Sequence, residues 1–97
     1  MFNCLFYSNN AANFAAELKG NPLYCFNNII VNNTGGGLLV TGSGNSYLKN
    51  NIVRGNSGTQ IDFNTPGSVT YCNVEDGFGG TGNINSVETL AWIIHVM

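Results

Sequence analysis

What most constrains this chain is a strand, an asparagine- and glycine-rich corner and a second strand that recur in the same direction at a nearly constant interval. An internal period of about 20 to 50 residues marks solenoids and arrays, and it outranks local propensity in choosing a fold. The clearest copy spans residues 27–41, NNIIVNNTGGGLLVT, and a variant spans residues 50–64, NNIVRGNSGTQIDFN. Cys4, Asn28, Asn51 and Cys72 fall at equivalent positions, at spacings of 24, 23 and 21 residues.

The same register produces apolar columns. Phe6, Ile30, Val53 and Val74 form one, and Cys25, Leu48 and Val69 another. The second strand repeats as inward pairs Ala16/Leu18, Leu38/Val40 and Ile61/Phe63. Strand side chains alternate with a period of two, so Glu17, Leu39 and Asp62 point outward between those pairs. By the same alternation the mixed set Tyr7, Val31, Arg54 and Glu75 is expected to face outward, with Arg54 and Glu75 forming a surface ion pair between neighbouring coils. Phe14 belongs near the inward columns with Phe6 and Phe63, whereas Tyr7, Tyr24, Phe26, Tyr47 and Phe78 are expected to be exposed rings.

Between strands the chain is punctuated at residues 32–37, 42–45, 55–58 and 66–68 by Gly, Asn, Ser and Pro. Gly and Asn tolerate positive φ and turn a strand sharply. Repeated segments of one direction predict a parallel β-solenoid rather than hairpins, and each coil stacks on the last at about 4.8 Å. Equivalent residues then touch. Asn28 and Asn51 are expected at an inward corner, each amide bonding to its neighbour in the stack. Cys4 and Cys72 would lie about 14 Å apart, three coil steps, and could not bridge.

Composition sharpens this reading. Charged residues are 8% of the chain, with 17 Asn and 13 Gly, so amides and backbone rather than Lys and Glu cover the surface. Regularly spaced apolar residues, 43% of the total, argue against a disordered polar tract. With Lys19, Lys49 and Arg54 as the cations and a net charge of −2, no basic stripe follows a phosphate backbone, and nucleic-acid binding is not expected. No apolar run approaches the roughly 18 to 20 residues of a membrane span. Residues 1–4 lack the pattern of a signal peptide. Three cysteines do not make a disulfide framework.

The repeats resemble right-handed parallel β-helix coils of the pectin-lyase-like superfamily. Residues 51–85 are similar to the closing coils of large bacterial secreted and surface β-helix proteins, through Gln60-Ile61, Val69-Thr70-Tyr71-Cys72-Asn73-Val74 and Gly80-Thr81-Gly82-Asn83-Ile84. The resemblance covers residues 2–85. It implies a right-handed coil, a secreted or cell-surface setting and a function anywhere among lyases, hydrolases, adhesins and structural stalks. It also suggests a truncated or mobile derivative of a larger surface protein.

Residues for chemistry are sparse. Glu17 and Asp62 are two coils apart, about 9.6 Å, near the upper limit for an inverting acid/base pair. Glu75-Asp76 offers too few oxygens for calcium. Residues 77–82 fit G-x-G-x-x-G but are read as a flexible corner loop, since no helix and distant acid complete a dinucleotide site. His95 has no metal-ligating neighbours in sequence. The thiols lack cationic neighbours and are read as inert. Asn32-Asn33-Thr34 is a glycosylation sequon, meaningful only in a eukaryotic secretory setting. No cofactor or metal site is expected. Tyr24 and Tyr47, one repeat apart, should stack.

A short solenoid leaves strand edges and core cross-sections open at its ends. Phe2, Leu90, Trp92, Ile93, Ile94 and Met97 supply apolar side chains there. The tail either caps its own last coil, as a short helix with Val87, Leu90, Ala91 and Ile94 on one face or as a strand, or contacts another copy. The reading that follows is an all-β, short right-handed parallel β-helix of about four coils over residues 1–85, with an apolar cap or exchange segment at 86–97. Its expected role is non-enzymatic and self-associating, as a homo-oligomer. The alternative is a carbohydrate-binding or remnant polysaccharide-lyase-like domain using Glu17, Tyr24, Tyr47 and Asp62.

Overall fold

A computed structural model describes residues 1–20 and 22–87. Ten strands follow in order: β1 (Leu5–Tyr7), β2 (Asn10–Gly20), β3 (Leu23–Phe26), β4 (Ile29–Val31), β5 (Thr34–Gly42), β6 (Ser46–Lys49), β7 (Ile52–Arg54), β8 (Ile61–Phe63), β9 (Gly67–Thr70) and β10 (Asn73–Val74). They form three sheets, ordered β1-β4-β7-β10, β2-β5-β8 and β3-β6-β9. The strands pair in parallel throughout the described residues. The chain visits each sheet in turn and returns one strand higher, which makes a parallel β-solenoid.

There are about three turns rather than the expected four. Among the described residues only the first sheet has a fourth strand, because residues 75–84 fold over the end of the stack instead of running another full coil.

The register follows the columns read from the sequence. Phe6, Ile30, Val53 and Val74 stack, as do Ala16, Leu38 and Ile61, and Cys25, Leu48 and Val69. Ile30, Leu38, Val40 and Val53 are fully buried, and Phe6, Leu18 and Phe63 pack half-buried against them. Burying such a side chain contributes about 1.5–3 kcal/mol. Phe14 is half-buried, its ring lying against Gly36, where no Cβ could fit.

Two corner columns turn each rung, and both require left-handed backbone. Asn3, Asn27, Asn50 and Tyr71 have φ of 54, 62, 57 and 52°. Ser8, Asn32, Gly55 and Asp76, one sheet later, have φ of 57, 55, 66 and 70°. Asparagine adopts this region more cheaply than other residues carrying a side chain, which accounts for its use at four of these eight corner positions.

The residue after each corner has an N–H pointing along the solenoid axis, where a buried donor needs an acceptor. The amide column supplies it. Asn28 Oδ1 accepts from Cys4 N–H at 2.9 Å, and Asn51 Oδ1 accepts from Asn28 N–H at 3.0 Å. Asn28 Nδ2 also donates to Asn51 Oδ1 at 3.0 Å, and Asn51 Nδ2 donates to Cys25 O at 2.8 Å. The column extends beyond the sequence reading to Asn83, whose Oδ1 accepts from Cys72 N–H at 2.9 Å.

A second amide column, not read from the sequence, stands after the other corner. Asn33 Oδ1 accepts from Asn9 N–H at 2.8 Å, and Asn56 Oδ1 accepts from Asn33 N–H at 3.0 Å. Gln60 ends it, accepting from Asn56 Nδ2 at 2.8 Å.

Residues 77–84 are a cap rather than a flexible corner. Phe78 packs against the core, and Ile84 pairs in parallel with Asn73. Tyr71 N–H donates to Thr81 O at 2.9 Å and Val74 N–H to Ile84 O at 2.9 Å.

Candidate functional site

The surface offers three candidate regions, the faces of two sheets and one end of the solenoid. Glu17, Leu39 and Asp62 share one outward register on β2-β5-β8. A groove of about 450 Å³ beside them is lined by Ala12, Phe14, Glu17, Gly36, Leu39 and Thr59, among others, and Glu17 is its one ionisable side chain. Asp62 Oδ1 instead accepts from Asn64 Nδ2 at 2.6 Å. Leu39 separates the two acids, so the groove holds one carboxylate and no partner for proton transfer.

Tyr24 and Tyr47 lie on β3-β6-β9 and stack at 5.5 Å between centroids, 17° from parallel. Phe26 meets Tyr24 edge-on at 6.0 Å. The next position in the tyrosine column is Ser68, whose short side chain leaves space above the Tyr47 ring. That groove, about 340 Å³, is lined by Tyr24, Phe26, Tyr47, Lys49, Ser68 and Thr70. Sequence reasoning grouped Glu17 and Asp62 with Tyr24 and Tyr47. The fold puts the acids and the rings on separate sheets. Tyr71, 53% exposed, adds a ring the sequence reading did not single out; Lys49 Nζ sits 5.7 Å from its centroid. Phe26, Tyr47 and Phe78 are half-buried rather than exposed.

The third region is the lower end. β1 and β2 are terminal strands of their sheets, whereas residues 1–3 cover the edge of β3, with Met1 O accepting from Phe26 N–H at 3.0 Å. Phe2, Leu5 and Tyr7 are 55, 51 and 45% exposed there. Leu90, Trp92, Ile93, Ile94 and Met97, expected to serve the ends as cap or contact, lie outside the described residues, as does His95.

The first-strand face departs from expectation. Val31 and Arg54 point outward in register yet are 0 and 5% exposed. The ion pair between Arg54 and Glu75 does not form. Arg54 Nη1 donates to Asn73 Oδ1 at 3.1 Å and to Asn85 Oδ1, while Glu75 Oε1 accepts from Gly55 N–H at 2.7 Å. An outward register says which way a side chain points, not whether something lies over it.

Cys4, Cys25 and Cys72 are free thiols. Burial pushes the Cys25 thiol up to about 11 and raises that of Cys72 as well, so neither is a ready nucleophile. Among the described residues no three His, Cys, Asp or Glu side chains converge on a point, and no helix is long and apolar enough to cross a membrane. No protein-family model, curated protein or solved structure matches this chain.

Proposed function

We propose that this chain is a non-enzymatic, self-associating structural module whose joint is the lower end of the solenoid. The observation that carries this reading is the edge of β2, an 11-residue strand that among the described residues is bonded on one side only, at the same end as exposed Phe2 and Leu5. Unpaired strand edges template pairing with another chain. Glu17 and Lys19 are both exposed on that edge. In an antiparallel, two-fold pairing centred on Leu18, each Glu17 lies opposite the other copy's Lys19, which favours association.

At the upper end Asn83 and Gln60 close the amide columns and Phe78 covers the core. One open end and one closed end make pairs rather than filaments. The test is solution mass by sedimentation over a range of concentrations. The wild-type chain is expected to dimerise, and Leu5→Asp with Lys19→Glu to remain monomeric while keeping its β-rich circular dichroism. A wild-type chain that stays monomeric throughout overturns the reading.

The slot above Tyr47 supports a second reading, binding of a glycan or another flat ligand against an aromatic platform. Retention on a polysaccharide gel that is lost with Tyr47→Ala would favour it. The right-handed coil and the kinship with bacterial surface β-helix proteins rest on the sequence resemblance.

A further inference from the structure

The outward face of β3-β6-β9 carries an aromatic column that stops one level short. Tyr24, Tyr47 and Ser68 occupy successive register positions on the three strands. Tyr24 and Tyr47 stack with centroids 5.5 Å apart and planes 17° from parallel, so each ring covers one face of the other. At the third level Ser68 is exposed and brings no ring, which leaves the upper face of Tyr47 to the groove of about 340 Å³. Stacked strands lie about 4.8 Å apart. A flat ring seated at the level of Ser68 therefore meets Tyr47 much as Tyr47 meets Tyr24, and offset aromatic pairs are favoured at centroid separations of about 4.5–7 Å.

The groove also fixes what such a ring must carry. Lys49 follows Tyr47 by two residues on β6 and shares its outward face, about 7 Å along the strand. Among the described residues it is the one cation lining the groove, and no carboxylate lines it. Its Nζ lies 5.7 Å from the centroid of the exposed Tyr71 ring, an attraction that orients the ammonium without neutralising it. On the strand above, Ser68 and Thr70 stand opposite Tyr47 and Lys49, and their hydroxyls can donate to an anionic oxygen. Glu17 and Asp62 lie on a different sheet. The charge that complements this groove is an anion, held off the ring by a short arm.

We propose that this groove binds an aromatic carboxylate of the arylpropenoate kind, whose planar ring continues the tyrosine column and whose carboxylate accepts from Lys49 Nζ and from the hydroxyls of Ser68 and Thr70. This rests on the platform reading of the slot above Tyr47 and narrows it from flat ligands in general to one class. It does not depend on the joint at the lower end. Stacking supplies affinity for the ring, and the charge-assisted hydrogen bond supplies preference for the acid.

Ligand-observed nuclear magnetic resonance on the full chain tests the proposal. Cinnamate is the probe, cinnamyl alcohol its uncharged counterpart, and cyclohexanepropanoate a counterpart without a flat ring. Cinnamate is expected to bind, and each counterpart to bind about tenfold more weakly. Ser68→Tyr should set the chain's own ring in the slot and abolish binding while far-ultraviolet circular dichroism keeps the strand signal. Should that variant fail to fold, Lys49→Met, at an exposed position, decides by bringing cinnamate down to the level of the alcohol. No binding of cinnamate, equal binding of acid and alcohol by the wild type, or binding that survives Ser68→Tyr overturns the proposal. Retention on a polysaccharide gel that is lost with Tyr47→Ala, without binding of cinnamate, overturns the aromatic acid and leaves the platform standing. Absence of both overturns the platform as well.

Discussion

The two ends of this solenoid are built from the same repeat and finished differently. At the upper end Asn83 accepts from Cys72 N–H at 2.9 Å, Gln60 accepts from Asn56 Nδ2 at 2.8 Å, and Phe78 lies over the core. At the lower end the amide columns stop at Cys4 and Asn9, and Leu5 and Phe2 remain about half exposed. A parallel coil satisfies its backbone only through the coil above and the coil below, so a terminus must borrow partners. The upper terminus borrows them from its own loop. At the lower terminus residues 1–3 do this for β3 alone, and among the described residues the edges of β1 and β2 have no such partner.

The difference predicts a gradient of mutational cost along one column type. Asn51 sits in mid-stack, 1% exposed, accepting from Asn28 N–H and donating to Cys25 O. Asn51→Ala removes the partner of both backbone groups, and at about 1–3 kcal/mol for each buried unsatisfied group the loss should be about 2–6 kcal/mol. The side chain of Asn9, exposed at the open end, only donates to Asn33 Oδ1, at 3.1 Å. Asn9→Ala should cost less than about 1 kcal/mol. Urea denaturation of the two variants checks the ratio, and equal costs would mean that the amide columns do not carry the stack.

How much of this was legible in the sequence depends on what a column shows. Asn28 over Asn51 and Ile30 over Val53 could be read because the spacing of 23 residues makes alignment equal to contact in a parallel coil. The second amide column was equally available. Asn9, Asn33 and Asn56 repeat at 24 and 23 residues, but Asn33 and Asn56 sit in Asn/Gly corners that read as punctuation, and Asn9 did not stand out beside them. Asn83 was hidden for another reason. It reaches the next level of the first column 11 residues after Cys72, about half a period, because the cap takes a short route. The burial of Arg54 was out of reach, since alternation fixes direction and not cover. The split between Glu17/Asp62 and Tyr24/Tyr47 required knowing that the coil has three faces.

Thiols sharpen the comparison through pH. Cys25 is fully buried in mid-stack, its Sγ accepting from Asn28 Nδ2 at 3.2 Å, and burial raises its pKa from 9.0 to about 11. Below pH 9 the thiol is neutral in both folded and unfolded chains, and its contribution is constant. Between pH 9 and about 11 the unfolded chain releases the proton while the folded chain retains it, so stability falls as pH rises and levels off above that window. At about 1.4 kcal/mol per pH unit, the loss is roughly 2–3 kcal/mol. Denaturation midpoints at successive alkaline pH values should show it, and Cys25→Ala should flatten the slope. Cys4, half-buried at the open end, should react with a thiol reagent in the native state while Cys25 and Cys72 wait for unfolding.

The smallest effect tests how the upper cap is held. Tyr71 occupies the corner column of Asn3, Asn27 and Asn50 with φ of 52°, where a bulky residue costs about 1–2 kcal/mol that asparagine largely avoids. Against that, its ring lies under Lys49 Nζ, an exposed contact contributing about 0.5–1 kcal/mol. Backbone relief should win, so Tyr71→Asn is expected to raise stability by about 0.5–1 kcal/mol, read as an upward shift in thermal midpoint. Gly82 supplies the counterweight, since its Cα lies so close to the ring that a Cβ would fall 2.3 Å from Tyr71 Cδ1. If Tyr71→Asn lowers the midpoint instead, the cap is pinned by the ring against Gly82 more than by the amide of Asn83. The closed end would then owe its closure to packing rather than to a continued column.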